Sequence, residues 1–97
     1  MKKCSRLKLS SHAKSEMLNE EYGFIREEEI KEAILNGEII EEYPEDRPYS
    51  SCLILGFTEK KRPLHIACAP VPGEDLLIVI TIYQPSPSLW IDYRRRK

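Results

Sequence analysis

Hydrophobic positions fall into two regimes along the chain. Up to about residue 37 they recur at helical spacing: Ala13 and Met17 stand four apart behind Ser10 and Ser11, and Ile30, Ala33 and Ile34 share one face. Side chains three and four apart meet on a helix, so helices are predicted over residues 10–22 and 26–36. A serine caps the first helix by accepting a free N–H of its opening turn, and Gly23 ends it. Glu27, Glu28 and Glu29 face the positive end of the second helix dipole, and Gly37 supplies its stop.

From Glu38 onward β-branched and aromatic residues replace helix formers, and Pro44, Pro48, Pro63 and Pro70 punctuate the chain. Four strands are predicted, over residues 38–43, 51–58, 64–69 and 76–83. Exposed acids and Pro44 give the first an edge position, and the second, apolar on both faces, an interior one. The connections between strands are of hairpin length, too short for parallel crossovers. The expected fold is therefore α+β, with two N-terminal helices packed on a four-stranded antiparallel sheet. A short C-terminal helix or tail around Trp90 and a basic tail over residues 91–97 complete it.

Ninety-seven residues, 41% hydrophobic and 32% charged, are enough for one core and one domain spanning 1–97. The longest apolar run, Leu76 to Tyr83, is too short to span a bilayer, which takes about 20 residues. The basic start Met1-Lys2-Lys3 is followed by no apolar stretch of the export-signal kind, so a cytoplasmic protein is expected. The net charge of −1 hides segregation: residues 1–14 carry +5, residues 15–46 carry −10, and residues 47–97 carry +4. Two basic termini that converge would form a patch able to hold phosphates, while the acidic middle reads most simply as solvated helix faces. Cys4, Cys52 and Cys68 lack the spacing of a disulfide framework or a zinc site, and Cys52 and Cys68 sit in apolar runs as small hydrophobes.

His12 and His65 are the two histidines, the first places to look for acid–base chemistry near neutral pH. His12 falls in the first turn of the first helix. His65 interrupts the apolar run Leu64-His65-Ile66-Ala67-Cys68-Ala69 and must find a partner or a cleft, a satisfied core histidine being the plain alternative. If the third and fourth strands pair through the loop at Pro72-Gly73, paired residue numbers sum to about 145. A sum of 146 would set His65 opposite Thr81 and diagonal to Tyr83, with Arg62 at the rim. An imidazole, a phenol and a guanidinium so placed can cleave RNA without a metal or cofactor, by deprotonating the ribose 2′-hydroxyl and stabilising the charged phosphorane. Nucleotide-binding glycine loops, nucleophile elbows and metal-ligand spacings are absent from the sequence.

An ordered set of short motifs carries a resemblance. Ser11-His12-Ala13 opens the first helix, Asn36-Gly37-Glu38-Ile39-Ile40-Glu41 follows the second, and Tyr43-Pro44 with Asp46 comes next. Downstream stand Cys52-Leu53-Ile54-Leu55-Gly56, Arg62-Pro63-Leu64-His65, Ile80-Thr81-Ile82-Tyr83, Pro85-Ser86-Pro87, Trp90 and Arg94-Arg95-Arg96. The chain resembles the domain-of-unknown-function 4258 family over nearly its whole length. That family looks like small toxins of the RelE, BrnT and MqsR kind, with a RelE- and barnase-like layout that cleaves RNA without metal.

The resemblance implies a toxin-like ribonuclease of a toxin–antitoxin pair, acting on RNA that includes ribosome-bound messenger. Its protein partner would be a YgiT-type zinc-finger antitoxin. Carried residue by residue, it marks His65, Tyr83 and His12 as catalytic and Arg62, Arg94, Arg95 and Arg96 as phosphate-binding. Glu16 stands where many relatives carry arginine and Ser86 where they carry aspartate, which would weaken a nuclease. Two other readings compete. One is a non-catalytic interaction module using the sheet edge or the acidic helix face, and the other a metal site from His12, His65 and Cys68.

Overall fold

A computed structural model describes residues 6–97, so Lys2, Lys3 and Cys4 lie outside the described residues. Its elements in order are β1 (Arg6–Leu9), α1 (Ser11–Asn19), α2 (Glu27–Leu35), β2 (Glu38–Tyr43), β3 (Ser51–Phe57), β4 (Pro63–Pro70), β5 (Leu76–Tyr83), β6 (Trp90–Ile91) and β7 (Arg95–Arg96). The helices form as the apolar spacing predicts. Ser10 Oγ accepts the Ala13 N–H at 3.0 Å and caps α1. Asn19, not Tyr22, ends α1, because the chain turns extended at Glu20.

The expected four-stranded antiparallel sheet is corrected. Five strands form a mixed sheet in the order β1-β5-β4-β3-β2, and β1 lies parallel to β5, pairing Arg6 with Leu76 through Leu9 with Val79. The alternation Arg6-Leu7-Lys8-Leu9 is itself strand-like, but its two cations read as part of a basic terminus. The link from β1 to β5 is the rest of the fold, so the short connections that exclude parallel pairing among β2–β5 say nothing about it. The meander β2–β5 is antiparallel, with β2 at the free edge and β3 inside it. The expected C-terminal helix is also corrected: β6 and β7 form a two-stranded hairpin.

Both helices cover one face of the sheet, α1 against β5 and α2 against β3. The core there joins Ala13, Met17, Ile25, Ile30 and Ala33 to Cys52, Ile54, Leu64, Ile66, Cys68, Leu77, Val79 and Ile82. Gly56 lets α2 rest directly on β3, since a Cβ there would stand 1.9 Å from the Ala33 carbonyl oxygen. The opposite face carries Leu53, Leu55, His65 and Ala69, all buried, with Trp90 of the C-terminal segment lying against His65. Register on this face also differs from expectation, since His65 pairs directly with Tyr83, and Thr81 with Ala67. Paired numbers sum to 148 here and shift by one after Ala67, where a bulge re-aims the strand.

Candidate functional site

His65 is fully buried in the middle of that second face. Its Nε2 lies 2.6 Å from the Tyr93 carbonyl oxygen and its Nδ1 lies 3.1 Å from the Tyr83 hydroxyl. A carbonyl only accepts, so Nε2 carries the proton, and Nδ1 of the neutral ring accepts the Tyr83 O–H. Burial holds the imidazole below its ordinary pKa and pushes the Tyr83 phenol up, so both stay neutral. The Trp90 ring stands edge-on to the imidazole with centroids 4.3 Å apart.

The hairpin over His65 turns at Asp92 and Tyr93, whose φ values of 52° and 61° are left-handed, and the Arg94 N–H reaches the Ile91 carbonyl at 2.9 Å. Such a turn favours glycine or asparagine, so Tyr93 is held against its own preference, and its carbonyl is the one bonded to His65. From this hairpin Arg94 meets Glu38 of β2 at 2.6 Å, and Arg96 meets Glu41 at 3.1 Å while stacking 4.7 Å over Trp90. The Tyr43 hydroxyl donates to the same Glu41 carboxylate. Arg96 and then Tyr43 hold the Glu41 carboxyl below its usual range, whereas burial and then Glu41 push the Tyr43 phenol up.

Carboxylate, guanidinium and phenol thus meet at the hairpin's rim, with Arg96 63% and Glu41 25% exposed. Perturbed titration concentrated at one place is a mark of functional sites. Glu41 and Tyr43 stand in the sequence motifs that carry the family resemblance, but nothing there marks them as site residues. In an acid-rich edge strand, Glu41 looks like its neighbours until the hairpin supplies its partner.

The remaining sequence-derived candidates lie elsewhere. Arg62 is mostly buried and works as a clasp, donating to Glu29 at 3.2 Å, to Gln84 Oε1 at 2.7 Å, and to the Gly23 and Phe24 carbonyls. It ties the α1–α2 connection to the end of β5 rather than presenting a free cation. His12 is exposed on α1, 3.4 Å from Glu16, and lines a cleft of about 360 Å³ with Tyr83, Glu16, Glu20 and Glu21. Three carboxylates make that cleft a poor seat for phosphate. Arg95 is exposed on β7. His12, His65 and Cys68 are not brought together: His65 and Cys68 face opposite sides of the sheet, and among the described residues no cluster of three potential ligands forms.

Glu16 has a structural task. Beyond the reach of β1, the open edge of β5 would leave N–H groups unpaired, and Glu16 accepts the Ile82 N–H at 3.0 Å together with the Thr81 hydroxyl. One turn on, Glu20 accepts the Gln84 N–H at 2.9 Å. No helix among the described residues is long and apolar enough to cross a membrane.

A mixed sheet with helices on one face and a C-terminal hairpin over His65 on the other defines an α+β domain. The chain belongs to the family described as Domain of unknown function (DUF4258), whose model matches residues 9–84. Trp90, Tyr93 and Arg94–Arg96 lie beyond that match. No curated protein and no solved structure matches the chain.

Proposed function

We propose that this protein is a toxin-like ribonuclease that cleaves RNA without a metal at the rim of its C-terminal hairpin. The observation that carries the reading is the contact of Glu41, Arg96 and Tyr43 beside the buried His65–Tyr83 pair. Glu41, kept ionised, takes the proton of a ribose 2′-hydroxyl, whose oxygen then attacks the adjacent phosphorus. Arg96, with Arg94 and Arg95 on the same hairpin, holds the phosphate and stabilises the phosphorane as charge builds. Tyr43, kept protonated, gives its proton to the departing 5′-oxygen. His65 is a positioning residue, fixing the hairpin that carries the arginines. The toxin setting and a zinc-finger antitoxin partner rest on the family resemblance alone.

The test is cleavage of a mixed RNA substrate in chelator by the parent and by Glu41→Gln, Arg96→Ala and His65→Ala, each checked for folding by circular dichroism. Cleavage by the parent that falls about 100-fold or more in folded Glu41→Gln is the expected result. A parent that cuts neither naked RNA nor ribosome-bound messenger ends the proposal.

A second reading, a non-catalytic interaction module, is favoured by one observation: both nitrogens of His65 are engaged and the ring has no exposed surface. The open edge of β2 would then pair with a partner's strand. Steep weakening of binding with added salt marks a phosphate ligand, and near-indifference to salt marks an apolar protein interface.

A further inference from the structure

Strands β3 and β4 set two thiols side by side, with Cys52 the direct cross-strand partner of Cys68. Both side chains lie in the core between the sheet and the helices, Cys68 with no exposed surface and Cys52 with 5%. Opposed residues of an antiparallel pair share a face, with Cα atoms about 4.5 or 5.5 Å apart depending on the ladder position, and both spacings fit a disulfide. The neighbouring Cys68 thiol holds the Cys52 thiol below its ordinary pKa, against the opposing effect of burial. A pair of valines or alanines would fill this position without reactive sulfur.

We propose that Cys52 and Cys68 form an oxidation site, a dithiol that hydrogen peroxide converts into an intramolecular cross-strand disulfide. The Cys52 thiolate attacks one peroxide oxygen, the O–O bond breaks, and hydroxide leaves to become water with the proton Cys52 gave up. Cys52 is then a sulfenic acid. The Cys68 sulfur attacks the Cys52 sulfur, the S–S bond forms as the S–O bond breaks, and the Cys68 proton joins the departing hydroxide as a second water. Two thiols and one peroxide become one disulfide and two waters. The oxidant must be small, because neither sulfur is reachable by a bulky disulfide. The product closes a loop of about 15 residues and clamps β3 to β4, the strands that carry Leu55 and His65.

The experiment uses full-length Cys4→Ser protein, so that the remaining thiol outside the pair cannot cross-link. After hydrogen peroxide, free thiols are blocked with N-ethylmaleimide in denaturant and the unreduced peptides are mapped by mass spectrometry. The expected result is a cross-linked peptide pair containing Cys52 and Cys68, about 2 mass units lighter than the two thiols and reversed by dithiothreitol. The thermal midpoint should rise by about 10 °C on oxidation and return on reduction. Cys52→Ala and Cys68→Ala, which keep the core apolar, should each lose both signatures, and the peptide map of the parent decides the matter even if either variant unfolds. Two blocked thiols after peroxide, a sulfinic acid without cross-link, or disulfide-linked dimers would each overturn the proposal. RNA cleavage does not enter the readout, so this outcome stands apart from that of the ribonuclease reading.

Discussion

A neutral imidazole in a dry layer has two nitrogens to satisfy, and His65 does so with one acceptor and one donor on opposite sides of the ring. Protonation would turn the Tyr83 hydroxyl from donor to acceptor and place a charge inside a layer that disfavours it. Among its charged neighbours, Glu41 favours the imidazolium and Arg96 opposes it, but burial dominates and the folded pKa lies below the unfolded value of about 6.5. The sign follows: between those two values the unfolded chain binds the extra proton. His65 therefore lowers stability as pH falls through about 6.5, with a slope approaching about 1.4 kcal/mol per pH unit until the folded pKa is reached. Urea unfolding at pH 7.5, 6.5 and 5.5 should show this slope in the parent and a flatter one in His65→Gln. Equal slopes would sink the account. That His65 needed a partner was legible from its apolar strand; that the partner is a carbonyl 28 residues away was not.

Elements meet at their edges, and β5 is where two elements share one edge. β1 covers its first half, and α1 then turns Glu16 and Glu20 onto the N–H groups that β1 leaves open. The acid that the family pattern suggests as a lost phosphate contact is thus the acceptor that closes the sheet. Glu16→Arg replaces that acceptor with donors only, and should lower unfolding free energy by about 1–3 kcal/mol. Glu16→Gln keeps one acceptor oxygen and should lose less. Chemical denaturation of the pair with the parent is the check, and an arginine variant as stable as the parent would show that Ile82 and Thr81 do not depend on Glu16. The helix periods and the strand alternation exposed most of the elements, because local spacing decides which face of each is apolar. β1 is not legible this way, because four residues with one arginine and one lysine look like a tail until β5 lies beside them.

Across the whole molecule, the C-terminal hairpin turns a one-layer sheet face into a second small core. Trp90, 5% exposed, covers His65, while the Arg94–Glu38 and Arg96–Glu41 pairs lie at the solvent edge. Ion pairs that exposed contribute little to stability and are screened by salt. A buried indole contributes much more, so Trp90→Ala should cost about 3–5 kcal/mol in urea unfolding. High salt should leave the parent's stability nearly unchanged. A large loss of stability in salt with a mild Trp90→Ala effect would mean that the arginines, not the indole, hold the hairpin down.

Taken alone, the sequence determined two helices, the strand meander, the edge position of β2 and the small-hydrophobe setting of Cys52 and Cys68, because each depends on residues a few positions apart. The tertiary structure decided what depends on distant partners: the parallel β1–β5 pair, the register that puts His65 on Tyr83 and Cys52 on Cys68, and the burial of Arg62 in a clasp. Glu41 shows the difference most plainly. Its chemistry belongs to a pair whose other member, Arg96, is 55 residues away, and only packing sets a charge's neighbour at that range.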